Sequence, residues 1–190
     1  MSVEATDVDE LRLPASYALS VCRIEPENNV HLILAAFSVI PELNLVCVGN
    51  WRASDYGRRL LGQFAGFGNI RMCDPIYDLG KLKTVRAGAR LYLHGHSAGG
   101  TNPSLVEIMH FGMPVIAFDC AYNRWTTDNS AFYFSTVEQL VSIVRSSMTG
   151  EGLAENGHAM RRIARTQYVW EKIAARYFEE LGIHCDPQIR

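Results

Sequence analysis

The stretch ARLYLHGHSAGGTNPSLVEIMHFGMPVIAF, residues 89–118, decides the fold. Ala89–His94 is an apolar run of strand length, Pro103–Phe111 reads as a helix, and Pro114–Phe118 is a second strand. A strand, a helix and a strand in that order form a βαβ unit, whose two strands run parallel. The connection between the first strand and the helix is rich in glycine. Gly99 and Gly100 open backbone conformations closed to other residues. Asn102 suits the N-cap, and Pro103 the first helical position, where its missing N–H costs nothing.

The same alternation extends in both directions. Upstream it predicts strands over Tyr17–Arg23, Leu43–Val48 and Asn69–Cys73, with helices over Val30–Ile40, Asp55–Phe67 and Asp78–Ala87. Downstream it predicts a sixth strand over Ala131–Phe134 and a helix over Val137–Ser147. A long final helix is expected from Gly157 to Leu181. In it Ile163, Trp170, Ala174, Tyr177 and Leu181 recur at helical spacing, and Trp170 and Tyr177 read as core anchors. Strands and helices in this order predict an α/β fold: a Rossmann-like, doubly wound, mostly parallel six-stranded sheet with helices on both faces. One domain is expected over residues 14–190. An acidic tail or truncation segment (1–13) precedes it, and MTGEGLAENG (148–157) reads as an internal linker.

Composition narrows the function. The chain has 190 residues, 48% hydrophobic and 20% charged, with a net charge of -2. Those values suit a globular domain and argue against a dedicated nucleic-acid binder, which carries a basic excess. No apolar run approaches the roughly 20 residues of a transmembrane helix. The opening MSVEATDVDE holds four acids and no base, the reverse of a targeting peptide, so a cytoplasmic location is expected. The five cysteines, Cys22, Cys47, Cys73, Cys120 and Cys185, form no C-x-x-C pair and read as reduced, structural thiols. His94 and His96 form an H-x-H pair without a third ligand close by, so polar loop residues are expected there and no metal.

In a doubly wound sheet, ligands bind beyond the carboxyl ends of the strands where strand order reverses. That directs attention to RIEPENN (23–29) and to the loop after His94. Arg23 ends the first strand with a guanidinium suited to phosphate. The loop Gly99–Asn102 leads into a helix N-terminus, an anion site by virtue of free N–H groups and the helix dipole. Glu107, just over one turn into that helix, is placed to accept hydrogen bonds from paired hydroxyls such as those of a ribose. His96 stands at the mouth of the same crevice. No G-x-G-x-x-G follows the first strand, which argues against NAD.

A competing reading is an esterase of the α/β-hydrolase type, because Gly95-His96-Ser97-Ala98-Gly99 matches the G-x-S-x-G elbow. Asp119 or Asp128, then His158 or His184, would complete a triad with Ser97. Pro103 opposes it, since the elbow's helix begins near the nucleophile and a proline six residues on would break that helix. A non-catalytic nucleotide-binding module is the other alternative.

Taken together, these residues resemble the nucleotide-binding C-terminal domain of retaining GT-B glycosyltransferases of the family 4 type. That family has an arginine after the first strand, matched by Arg23, and a lysine about five residues on, whose place Asn28 takes. It also has two glutamates separated by seven residues. The second matches Glu107 in VEIMHFGMPVIAF, and Gly99 stands where the first would be. RIEPENN, HGHSAGGTNPSLVE and FDCAYNRWTTDNSAFYF are similar to bacterial rhamnosyltransferases of surface-polysaccharide synthesis. The resemblance runs from about Tyr17 to Leu181. It implies a UDP- or dTDP-linked donor sugar, possession of rhamnose as the sugar, transfer with retention, and no cofactor or metal. It implies diphosphate contacts from Arg23, Asn28, Gly100, Thr101 and Asn102, and sugar-side contacts from His96 and Gly99. Glu107 would hold the ribose, and the backbone of Ile76 and Tyr77 would edge the base. It further implies an N-terminal acceptor-binding domain, onto which the last helix crosses, and a glycan or lipid-linked acceptor at the inner membrane face.

Overall fold

The computed structural model describes residues 4–147 and 152–182. Six strands form its sheet: β1 (Ala18–Val21), β2 (Leu45–Val48), β3 (Ile70–Cys73), β4 (Leu91–His94), β5 (Val115–Phe118) and β6 (Phe132–Phe134). All neighbours pair in parallel, in the order β3-β2-β1-β4-β5-β6. Ala18 on β1 lies beside both Leu45 on β2 and Leu91 on β4. The expected doubly wound sheet is therefore present, and the order reverses between β1 and β4.

The described residues form eight α-helices: α1 (Val30–Ser38), α2 (Asp55–Phe64), α3 (Leu79–Ala87), α4 (Pro103–Phe111), α5 (Ala121–Thr126), α6 (Val137–Ser147), α7 (Gly152–Gln167) and α8 (Trp170–Glu180). Side chains alternate across each strand and so divide the core in two. On one face Ala18, Leu45, Leu91, Leu93 and Ile116 pack with Ile33 and Phe37 of α1, Leu60 of α2 and Leu140 of α6. On the other, Leu19, Val46, Tyr92, Val115 and Ala117 pack with Val85 of α3, Leu105 and Ile108 of α4, and Met160 and Ile163 of α7. Cys47 and Cys73 are buried free thiols, while Cys22 and Cys120 are partly exposed. Cys185 and His184 lie outside the described residues.

Four expectations change. The long final helix is two helices, because Val169 is extended (φ -109, ψ 145) and restarts the chain as the cap of α8. Trp170 and Tyr177 are not core anchors: Trp170 is 81% exposed and Tyr177 is also on the surface. Helical spacing gave α8 a stripe, but the stripe faces away from this core. Residues 152–157 of the expected linker are the first turns of α7, with Asn156 buried and its Oδ1 accepting from Val115 N at 2.8 Å. The acidic segment also does not hang free. Val8, Leu11 and Leu13 pack on the core, Lys81 of α3 pairs with Glu10 at 2.5 Å, and the Thr84 hydroxyl donates to Thr6 O. No described helix is long and apolar enough to cross a membrane.

Candidate functional site

The strand-order reversal opens a cleft of about 480 Å³ at the carboxyl ends of β1, β2 and β4. Its wall is made by Ser20 to Arg23, Asn28, Val48 to Asn50, Pro75 to Tyr77, Tyr92 to His96, Asn102 and Ser104. None of these is a carboxylate. The polar groups are an arginine, two histidines, three asparagines, hydroxyls and a thiol. A wall of that chemistry, at the place where such sheets bind ligands, is complementary to an anion.

Hydrogen bonds lock the loops on either side together. Asn28 Nδ2 donates to Arg23 O at 2.8 Å, which leaves its Oδ1 to accept from His96 Nδ1 at 2.8 Å. His96 Nε2 is thereby left facing the loop, toward Gly99. Asn29 Nδ2 donates to Gly95 O at 2.9 Å, and both the N–H and the hydroxyl of Ser97 donate to Glu27 O at 2.9 Å. From the far side, Asn123 Nδ2 on α5 donates to His96 O at 2.8 Å. So the two stretches singled out by sequence form one rigid assembly. Asn28 ties Arg23 to His96.

Arg23 itself is exposed, with Glu25 at 3.5 Å. A surface pair at that distance holds the guanidinium weakly, leaving it available to a ligand. At the N-terminus of α4, Pro103 has no N–H, and Asn102 Oδ1 accepts from Ser104 N at 3.0 Å. Leu105 and Val106 donate to Asn102 O at 3.1 and 3.2 Å. The N–H groups expected to be free in this first turn are thus occupied by Asn102, which the sequence marked as the cap. Gly99 (φ +83), Gly100 and Thr101 are exposed and lie outside the cleft wall; Thr101 is braced by the Thr126 hydroxyl of α5 at 3.4 Å.

The remaining candidates divide. Ile76 and Tyr77 are on the wall beyond β3. Glu107 is not on it, and its carboxylate pairs with Arg86 of α3. His94 is the last residue of β4, as the strand expected over Ala89–His94 has it, and at 4% exposed it is not the polar loop residue expected of the H-x-H pair. Burial pushes its pKa down to about 3, with His96 adding to the effect, so the ring is neutral. Among the described residues no group of three or more histidines, cysteines or acids is arranged to hold a metal.

Ser97 has no nucleophile geometry. Its hydroxyl proton goes to Glu27 O, and α4 begins six residues later at Pro103. Asp119 is engaged bidentately by Arg124, and the other histidine candidate within the described residues, His158, sits by Gly112 and Arg161.

A family model for "Glycosyl transferases group 1" matches residues 6–165. No curated protein matches the sequence. Among solved structures, Anabaena HepE in complex with UDP superposes with a TM-score of 0.78 at 16% identity, over 92% of this chain and 50% of that one. Sucrose-phosphate synthase from Thermosynechococcus elongatus gives 0.76 at 19% identity, over 91% and 47%. The C-terminal domain of a group 1 glycosyl transferase from Francisella tularensis gives 0.70 at 13%, over 88% and 96%. The chain therefore spans about half the length of the first two and nearly all of the isolated third domain. At these identities the likeness shows the fold, the Rossmann-like arrangement of GT-B domains.

Proposed function

The chain belongs to the group 1 glycosyl transferases, and from that premise we propose that it is the nucleotide-sugar-binding domain of one. The observation that carries this reading is the switch-point cleft, lined by Arg23, Asn28, His96 and Asn102 and bare of carboxylates. In it Arg23, Asn28 and Asn102, with Gly100 and Thr101 at the rim, bind the donor diphosphate. His96 and Gly99 face the sugar, Ile76 and Tyr77 edge the base, and Glu107 holds the ribose. As the acceptor hydroxyl oxygen bonds to the anomeric carbon, the bond from that carbon to the phosphate oxygen breaks, and the diphosphate leaves with the electron pair and takes up the hydroxyl proton. Arg23 then offsets the growing charge with a preorganised guanidinium.

The resemblance to family 4 enzymes adds the finer terms of the proposal. Transfer proceeds with retention at the anomeric carbon, with side chains rather than a metal ion neutralising the diphosphate. The donor is UDP- or dTDP-rhamnose, and the acceptor is a growing surface glycan or its lipid-linked precursor on the cytoplasmic side of the membrane. The acceptor is held by a second, N-terminal domain, against which the exposed side of α8, with Trp170, Tyr177 and Leu181, packs. HepE, solved in complex with UDP and about twice the length covered here, supports a UDP-linked donor and a further domain.

The test is calorimetric titration with UDP, dTDP and GDP, then with the matching sugar nucleotides. Saturable binding of one nucleoside diphosphate, lost in Arg23→Ala, is the expected result. Binding of none of the three would overturn the reading.

A further inference from the structure

His94 carries a buried nitrogen that the fold leaves without a partner. It stands at the carboxyl end of β4 and lines the cleft, yet only 4% of it is exposed. Two residues after Tyr92, it projects from the same face of the sheet, and the two rings stack with centroids 6.1 Å apart. The neighbouring ring of His96 is also 6.1 Å away, tilted. Among the described residues nothing hydrogen-bonds His94 Nε2. An unpaired buried polar atom costs stability and is rare in folded proteins, so its place on a ligand cleft calls for an explanation.

The surroundings point to what it meets. Asn102 and Ser104, the cap and second residue of α4, share the wall with His94, as do Asn28 and His96. These groups stand where the helix dipole and Arg23 favour negative charge, and no carboxylate competes for an N–H. A neutral imidazole can present Nε2–H as a donor without being charged. We propose that the His94 ring turns in the cleft wall when a nucleoside diphosphate binds, so that Nε2–H, occluded in the free protein, donates a hydrogen bond to a phosphate oxygen, making His94 a further diphosphate-binding residue. This rests on the nucleotide-sugar reading of the cleft. The nitrogen that no protein group satisfies is the one the donor completes, so its deficit is removed on binding.

The experiment compares the nucleoside diphosphate bound by the wild type (UDP, dTDP or GDP) with its bare nucleoside, in wild type, His94→Phe and His94→Gln. Phe keeps the ring on Tyr92 and removes the nitrogen; Gln restores a donor. His94→Phe should weaken the diphosphate by about tenfold to a hundredfold and leave the nucleoside unchanged, and His94→Gln should recover much of the loss. The free Phe variant should melt no lower than wild type, because it carries no unpaired nitrogen. Unchanged diphosphate affinity in His94→Phe, or equal losses for diphosphate and nucleoside, would overturn the assignment while the nucleotide reading stands. Binding of no nucleotide by the wild type would instead overturn that reading, and the His94 assignment with it. Should His94→Phe not fold, 15N-histidine spectra of the wild type decide. The diphosphate must move the His94 Nε2 resonance and the nucleoside must not; an unmoved resonance overturns the proposal.

Discussion

Arg86, in the last turn of α3, is ion-paired with Glu107 of α4, and the two ends of that pair differ sharply in exposure. The Arg86 side chain is 12% exposed and the Glu107 side chain 54%. Arg86 Nε is buried without a hydrogen-bond partner among the described residues. The guanidinium is a fixed post, and the carboxylate projects from it toward solvent. One Glu107 oxygen is anchored and the other remains to accept hydrogen bonds, which suits a group that must hold a diol at a set angle.

Glu107→Gln should therefore weaken nucleoside diphosphate binding by about 1–3 kcal/mol, the scale of a charge-assisted hydrogen bond. Calorimetry on the folded variant checks it. An affinity equal to wild type would mean that the pair with Arg86 is purely structural.

The neutral state of His94 should show in acid stability. Its folded pKa is about 3, whereas the unfolded chain titrates near the ordinary histidine value of 6.5. As pH falls through 6.5 the unfolded chain takes up the proton first. The contribution present above 6.5 is thus lost progressively toward 3. Denaturant unfolding at pH 7 and pH 4 should show wild type losing roughly 3 kcal/mol more than His94→Phe. Equal losses would mean that His94 is protonated in the folded protein.

At Gly95 the two switch-point loops are in direct contact. A Cβ added there would lie 2.1 Å from Asn28 O and 3.2 Å from Ile33 Cδ1. Backbone cannot yield as a side-chain tip can, so Gly95→Ala must push Asn28 away from His96. The expected result is a loss of more than about 2 kcal/mol of stability, together with weakened nucleotide binding. A wild-type melting temperature would show that the loops are not locked together in this way.

Much of this was legible because the strands are short apolar runs punctuated by turn residues, and because Asn102-Pro103 announces α4. What escaped has physical causes. α5 (AYNRWT) has no apolar stripe; it is held by Asn123, which donates to His96 O and Phe118 O, and such tertiary contacts leave no periodic trace. The helical spacing of Trp170 and Tyr177 marked a face correctly as apolar but could not say what it faces. Of the candidate site, Arg23, Asn28, Ile76, Tyr77, His96 and Asn102 come together on one cleft, while Gly99, Gly100, Thr101 and Glu107 stand outside its wall. The Arg86 pairing of Glu107 joins residues 21 apart on separate helices and had no local signal.

Ser97→Ala should leave nucleotide affinity within about twofold, because the Ser97 N–H still bonds Glu27 O and one surface-side hydroxyl contact is worth little. The wild type should take no label from a fluorophosphonate and show no burst with p-nitrophenyl acetate. Stoichiometric labelling at Ser97 would restore the esterase reading.

The last prediction separates donor binding from transfer: residues 1–190 should bind a nucleotide sugar and transfer nothing alone. Every donor contact proposed here falls on or beside one crevice, at the β1–β4 reversal. Transfer also requires an acceptor hydroxyl held against the anomeric carbon. Positioning of that kind can supply about 7–11 kcal/mol of a barrier, so its loss should reduce turnover to background. A cleft open on one side also admits water, and slow hydrolysis of the donor should be the main residual reaction. The exposed stripe of α8 adds a second readout, since an acceptor domain supplied in trans should bury Trp170 and shift its fluorescence to the blue. The measurement is incubation of a radiolabelled sugar nucleotide with membrane glycolipid and the chain, with and without that domain. Product formed at enzymatic rates by the chain alone would place the acceptor site within these residues and overturn the division of labour proposed here.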